Sequence, residues 1–209
     1  MQKILIVSIP MTANVAKKIS YLPGPGISKV SDVKVSYPIL AYLAAHMTND
    51  DNFHCLLIKK KGLYGKEDQY LKLFQTELDE INQAIHANIS YENLESDFRQ
   101  EPYVHERLME NIIKAIPNRA EVYTDITYGP KDTPLVIFAA LNFAEKHLQC
   151  NIKHIIYGQG YFDQDQNFTH GSVCDMMPLY SLNSLTNAIP ATDPQRSRSM
   201  LEQVLDMMK

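Results

Sequence analysis

Short β-branched runs alternate with helix-length amphipathic runs along most of this chain, and that alternation restricts its fold more than any other feature. Lys3 to Ser8 is a run too short for a helix, and Pro10 ends it. Residues 9–36 hold the densest turn cluster, Tyr21-Leu22-Pro23-Gly24-Pro25-Gly26, and read as a long, mostly irregular loop. Tyr37 to Thr48 has helical periodicity, with Ser36 placed as N-cap and Pro38 in the first turn. Phe53 to Lys59 reads as a second strand, turned by Lys59-Lys60-Lys61-Gly62. Lys66 to Asn88 reads as a long helix, because Leu71, Phe74, Leu78, Ile81 and Ile85 draw one apolar stripe. Then follow a strand over Ile89 to Leu94, a helix over Pro102 to Ile116 and a strand over Glu121 to Thr127. Next come a helix over Thr133 to His147 and a strand over Ile152 to Tyr157. Residues 158–172 are polar and turn-rich, Val173 to Met177 suits a further strand or hairpin arm, and two short helices fall near 180–189 and 196–208.

This order implies parallel strands joined by helical crossovers, a doubly wound, mostly parallel α/β sheet with helices on both faces. The 209 residues suit one domain over 1–189 with a helical tail over 190–209. In such sheets ligands bind beyond the carboxyl ends of strands, where the strand order reverses. The chemistry is therefore sought at three strand ends.

The first strand runs into Ser8-Ile9-Pro10-Met11-Thr12-Ala13-Asn14. It carries neither G-x-G-x-x-G nor a Walker A lysine, so dinucleotide binding and ATP hydrolysis lose their main support. Ser8, Thr12 and Asn14 can still offer donors to a phosphate or a base, or simply cap the strand. The fourth strand ends in Asp125-Ile126-Thr127-Tyr128-Gly129-Pro130-Lys131-Asp132-Thr133-Pro134. Asp132 or Thr133 can cap the following helix, whose free amides with Lys131 would suit an anion. Asp125 can hold loop amides or receive a ribose hydroxyl. The same residues also fit plain strand–turn–helix chemistry. The fifth strand ends in Tyr157-Gly158-Gln159-Gly160-Tyr161, where glycines admit a ligand to the backbone and a tyrosine can stack on a base.

Charge limits the partner. Against 24 Asp+Glu stand 20 Lys+Arg, a formal charge of −4, which excludes a broad nucleic-acid surface. Cys55, Cys150 and Cys174 are scattered, which fits neither a disulfide framework nor a zinc site and points to an intracellular chain. The seven histidines show no paired-ligand spacing, so no metal is expected; His170, in the polar segment after the fifth strand, is the one worth a functional test. No apolar stretch approaches membrane-span length. The lysine run at 59–61 reads as a solvated strand end or a ligand-approach patch.

Asp125-Ile126-Thr127-Tyr128-Gly129, then Pro134 and an apolar helix, then Ile155-Ile156-Tyr157-Gly158, resemble the CRISPR-associated Rossmann-fold (CARF) domain. The likeness is greatest to the branch whose fourth strand ends in D-x-T-H-G. Val173 to Leu179 before a short helix extends it. The resemblance implies a Rossmann-like sensor of type III CRISPR antiviral signalling in the cytoplasm. Such a sensor pairs as a two-fold homodimer and binds a cyclic oligoadenylate, most often the tetra-adenylate, across the dimer axis. It uses no cofactor and serves a separate or fused effector. Carried over by position, the ligand loops are Ser8 to Asn14 and Thr127 to Thr133, with Tyr157 to Gly160 nearby. Some family members cleave the ring slowly by 2′-hydroxyl attack, for which Lys131, Ser8 and Thr12 are the candidates here. Tyr128 stands where that branch carries His, and Lys131 is offset from its usual Arg. Arg99 to His105 matches an R-x4–6-H ribonuclease spacing, but Pro102 interrupts it and no helical domain surrounds it. The alternative is an unrelated Rossmann-like protein that binds another nucleotide or acts as a DNA-linked regulator.

Overall fold

The first strand alternates as a strand buried on both faces must. Ile4 and Ile6 point to one side and Leu5 and Val7 to the other, and all four are fully buried. Only a central strand with helices over both faces meets that requirement. In the computed structural model, which describes residues 2–11, 18–61, 65–165, 168–189 and 193–207, this strand is indeed central. It is β1 (Lys3–Ser8), and the further elements in chain order are β2 (Tyr21–Pro23), α1 (Pro38–His46), β3 (Asn52–Lys61), α2 (Glu67–Ile85) and β4 (Asn88–Asp97). They continue with α3 (Pro102–Ala115), β5 (Glu121–Asp125), α4 (Asp132–His147), β6 (Asn151–Phe162) and β7 (Phe168–Asp175), then α5 (Met177–Ala188) and α6 (Pro194–Met207).

The seven strands form one sheet in the order β2-β7-β6-β5-β1-β3-β4. β4, β3, β1, β5 and β6 run parallel, β7 is antiparallel to β6, and β2 is parallel to β7. This is the doubly wound Rossmann-like α/β fold that the alternation predicts. Leu5, Val7 and Ile9 share a core with Ile39, Leu40 and Leu43 of α1 and Phe74 and Leu78 of α2. α3 and α4 pack together, and each buries one apolar stripe, Leu108 and Ile112 in α3 and Ile137 and Leu141 in α4. The compact body spans Met1–Met176, and Met177–Lys209, with α5 and α6, forms a second unit.

Three expectations need correction. Residues 9–36 are not wholly irregular: Tyr21–Pro23 adds an edge strand to β7, and Ile19 bridges to Val35. Ser36 does not cap α1; the capping position is Tyr37, without a side-chain cap. The largest difference lies in 158–172. β6 runs on to Phe162, and β7 starts at Phe168, so the supposed turn region is a long antiparallel hairpin. Glycines depress strand propensity in isolation, but here they allow close packing. A Cβ on Gly158 would sit 2.2 Å from Pro38 Cγ, and one on Gly171 would sit 2.9 Å from Ile19 Cδ1 and Tyr21.

The lysine run is absorbed by the sheet. Lys59 pairs with Asp68 and Glu95, and Lys61 pairs with Glu95. Lys60, at 2% exposure, is different: its ammonium donates to Ser96 Oγ (3.3 Å), to the Asp97 carbonyl (3.3 Å) and to Asp132 Oδ2 (3.2 Å). It thereby ties the start of α4 to the ends of β3 and β4. Removing one partner of such a pair leaves the other charge under-compensated, whereas exposed pairs contribute little. Lys60→Met is expected to lower stability by about 3 kcal/mol in urea unfolding, and Lys61→Met by less than about 1 kcal/mol.

Candidate functional site

The strand order reverses between β1 and β5, since the chain continues outward from β1 to β3 and β4 and from β5 to β6 and β7. That crevice is filled by protein. Gly129 takes φ +92, which an L side chain resists, and a Cβ there would lie 2.1 Å from Ser8 Oγ. The loop after β5 therefore rests directly on Ser8, which is 2% exposed. Ile9 and Pro10 are buried as well, and the Ile9 amide continues the ladder to the Ile58 carbonyl at 3.0 Å. Met11 is half-buried. Thr12 and Asn14 lie outside the described residues.

Asp125 is 1% exposed, and both carboxylate oxygens are engaged. Oδ1 accepts the Thr127 amide at 2.9 Å, and Oδ2 accepts the Ile39 amide of α1 at 3.1 Å. Of the two roles open to Asp125, this geometry carries the holding of amides. A carboxylate occupies the α1 N-terminus, where a dinucleotide's phosphate would sit in related sheets. Burial pushes the Asp125 carboxyl up to about 6, against the lowering effect of the Thr127 and Ile39 hydrogen bonds. The folded state then binds this proton more tightly than the unfolded chain does. Its contribution to stability is greatest below about pH 4 and is lost as pH rises toward about 6, by roughly 3 kcal/mol in total. Asp125→Asn removes this titration. The stability of the wild type relative to Asp125→Asn, from urea melts, is expected to fall between pH 4 and pH 6 and stay level above.

Residues after Asp125 build a cavity on the hairpin side. Thr127 Oγ1 accepts the Gly158 amide at 2.8 Å, replacing the backbone ladder where β5 has ended. The Tyr128 hydroxyl donates to the Ser36 carbonyl at 2.7 Å. Together with the hairpin they enclose a space of about 280 Å³. Gly158, Gly160 and Gly171 line it together with the aromatic side chains of Tyr21, Tyr128, Phe162 and Phe168. Ile19, Thr127 and Gln159 complete the lining. Phe162 and Phe168 meet edge to face, with centroids 5.7 Å apart, and both are largely exposed. Burial first, then the Asp125 charge for Tyr21 and the Tyr21 phenol and Asp125 for Tyr128, raise both phenols, so both side chains stay neutral.

Of the residues expected from sequence, the cavity gathers Thr127, Tyr128, Gly158, Gln159 and Gly160. Ser8, Asp125, Gly129 and Thr133 lie in the filled crevice instead. Thr133 is fully buried, and its Oγ1 has no hydrogen-bond partner among the described residues. Pro130 accepts the Thr133 amide at 3.0 Å through its carbonyl. Lys131 is exposed at the capping position of α4 and does not line the cavity. Asp132 faces Lys60 and His105, each at 3.2 Å. Burial alone would raise its carboxyl, but the Gln100 hydrogen bond and the Lys60 charge hold it below the usual range. Tyr157 is 41% exposed and outside the cavity lining. His170 stacks on Tyr161, with ring centroids 4.5 Å apart. No cluster of His, Cys, Asp or Glu among the described residues could hold a metal ion.

Sequence reasoning missed Ile19, Tyr21, Phe162, Phe168 and Gly171. The two-residue spacing of Gly158, Gly160 and Phe162 was a usable signal, because it places all three on one face of an extended strand. Among the described residues, no helix is long and apolar enough to cross a membrane. Phe168→Leu, which keeps bulk but removes the edge-to-face partner of Phe162, is expected to cost less than about 1.5 kcal/mol of stability by thermal melting, since both rings are largely exposed. Neither a protein-family model nor a curated protein matches this chain.

Proposed function

We propose that the chain is a nucleotide-sensing module that takes an adenine base of a cyclic oligoadenylate, the tetra-adenylate above the others, into the aromatic cavity. The observation that carries this reading is a cavity beside the carboxyl end of β5 lined by Tyr21, Tyr128, Phe162 and Phe168. A planar base can enter between such side chains and stack on a Tyr or Phe face. Size decides how much of the ligand enters. Pockets for whole small molecules run from about 300 to 1,000 Å³. A cavity of about 280 Å³ suits one base, not a ring of nucleotides. The rest of the ring must be held outside it, which favours a second copy across a two-fold axis. Lys131, exposed two residues after Gly129, is available to a phosphate there. In this reading the chain is a cytoplasmic homodimer in type III CRISPR signalling and serves an effector elsewhere.

The geometry favours binding over cleavage. Ser8 is sealed beneath Gly129, and Lys131 stands off the cavity, so the two candidates do not converge on a bound base. Calorimetry with cyclic tri-, tetra- and hexa-adenylate tests the reading. The tetra-adenylate is expected to bind at one ring per two chains and to remain intact after long incubation in EDTA. Phe168→Ala and Lys131→Ala are each expected to weaken that binding by about 1–3 kcal/mol, through a lost stacking face and a lost charge-assisted phosphate contact respectively. No binding of any ring overturns the proposal, and ring cleavage overturns its preference for sensing alone.

A further inference from the structure

We infer that Glu77, which does not line the cavity, is a positioning residue for it and acts through Ser36 and Tyr128; this rests on the reading of the cavity as a base site. Glu77 lies on α2 and is 2% exposed. Its Oε2 accepts the Ser36 amide at 2.8 Å, and its Oε1 accepts the Ser36 hydroxyl at 2.8 Å. Ser36 is 1% exposed, so water cannot readily replace either bond. The same residue's carbonyl receives the Tyr128 hydroxyl at 2.7 Å. Every polar group of Ser36 is thus spoken for: two by α2 and one by a cavity wall.

A second route runs beside the first. The Tyr37 ring meets Tyr128 edge-on at 5.4 Å and Phe74 of α2 edge-on at 5.0 Å. The Tyr37 hydroxyl donates to the Tyr70 carbonyl of α2 at 2.8 Å. Lys18 also approaches Glu77 Oε1, at 3.6 Å. Residues 36 and 37 therefore form a hub that α2 holds from one side and that holds Tyr128 on the other. A fixed wall spares the ligand the cost of ordering it on binding. If Ser36 shifts, the Tyr128 hydroxyl loses its acceptor and that cost returns.

A double-mutant cycle tests this, with cyclic tetra-adenylate as the probe and calorimetry as the measurement. Glu77→Leu removes both acceptor oxygens and leaves the buried Ser36 amide and hydroxyl without them. It is expected to weaken binding about fivefold, and to cost nothing further once Tyr128→Phe has removed the hydroxyl. Ser36→Ala, which removes only the hydroxyl bond, is expected to follow the same pattern with a smaller loss, and it carries the cycle if Glu77→Leu fails to fold. Equal losses in the two backgrounds, or no loss in either, overturn the positioning role while the base site stands. A wild-type protein that binds no ring overturns the base-site reading, and this inference falls with it.

Discussion

The buried carboxylate of Asp125 joins parts of the chain that would otherwise separate. It sits at the carboxyl end of β5 and accepts one amide from its own loop and one from the start of α1. The loop amide fixes the course of Thr127 and Tyr128, and the helix amide fixes α1 against the sheet end. Neither amide has another partner in these contacts, and a buried amide without one costs about 1–3 kcal/mol. Two lining residues of the cavity follow Asp125 in the chain: Thr127, whose hydroxyl accepts the Gly158 amide, and Tyr128, whose hydroxyl donates to the Ser36 carbonyl.

This arrangement moves the candidate site away from where parallel sheets usually offer one. The crevice between β1 and β5 is closed by contact of Gly129 with Ser8, and the α1 N-terminus is neutralised from within. Open space instead lies one strand further out, over the β6–β7 hairpin. The net charge of −4 is compatible with that location. An aromatic cavity suits the flat apolar part of a ligand, for which no basic surface is required.

The repeating β–α order was legible in the sequence because each element carries its own periodicity. The Asp125–Thr127 contact, a local turn made two residues apart, was legible only as one of two roles open to Asp125, loop amides or a ribose hydroxyl. The Ile39 partner, 86 residues away, was not, because nothing local distinguishes an amide that will need an acceptor. The length of the hairpin was missed for a related reason. Gly158 and Gly171 read as turn formers, yet they are strand residues whose missing side chains let Pro38, Ile19 and Tyr21 press onto the sheet. That advantage exists only in the folded structure. Ser8 and Thr133 carried two readings from sequence, ligand contact or local capping, and both side chains are buried.

The central claim is that a base occupies the space over the β6–β7 hairpin. Hydrogen exchange with and without cyclic tetra-adenylate tests it most directly. The account predicts slowed exchange at 127–128, 158–162 and 168–171 when the ring is added. Slowing confined to 94–108, at the far edge of the sheet, would contradict it.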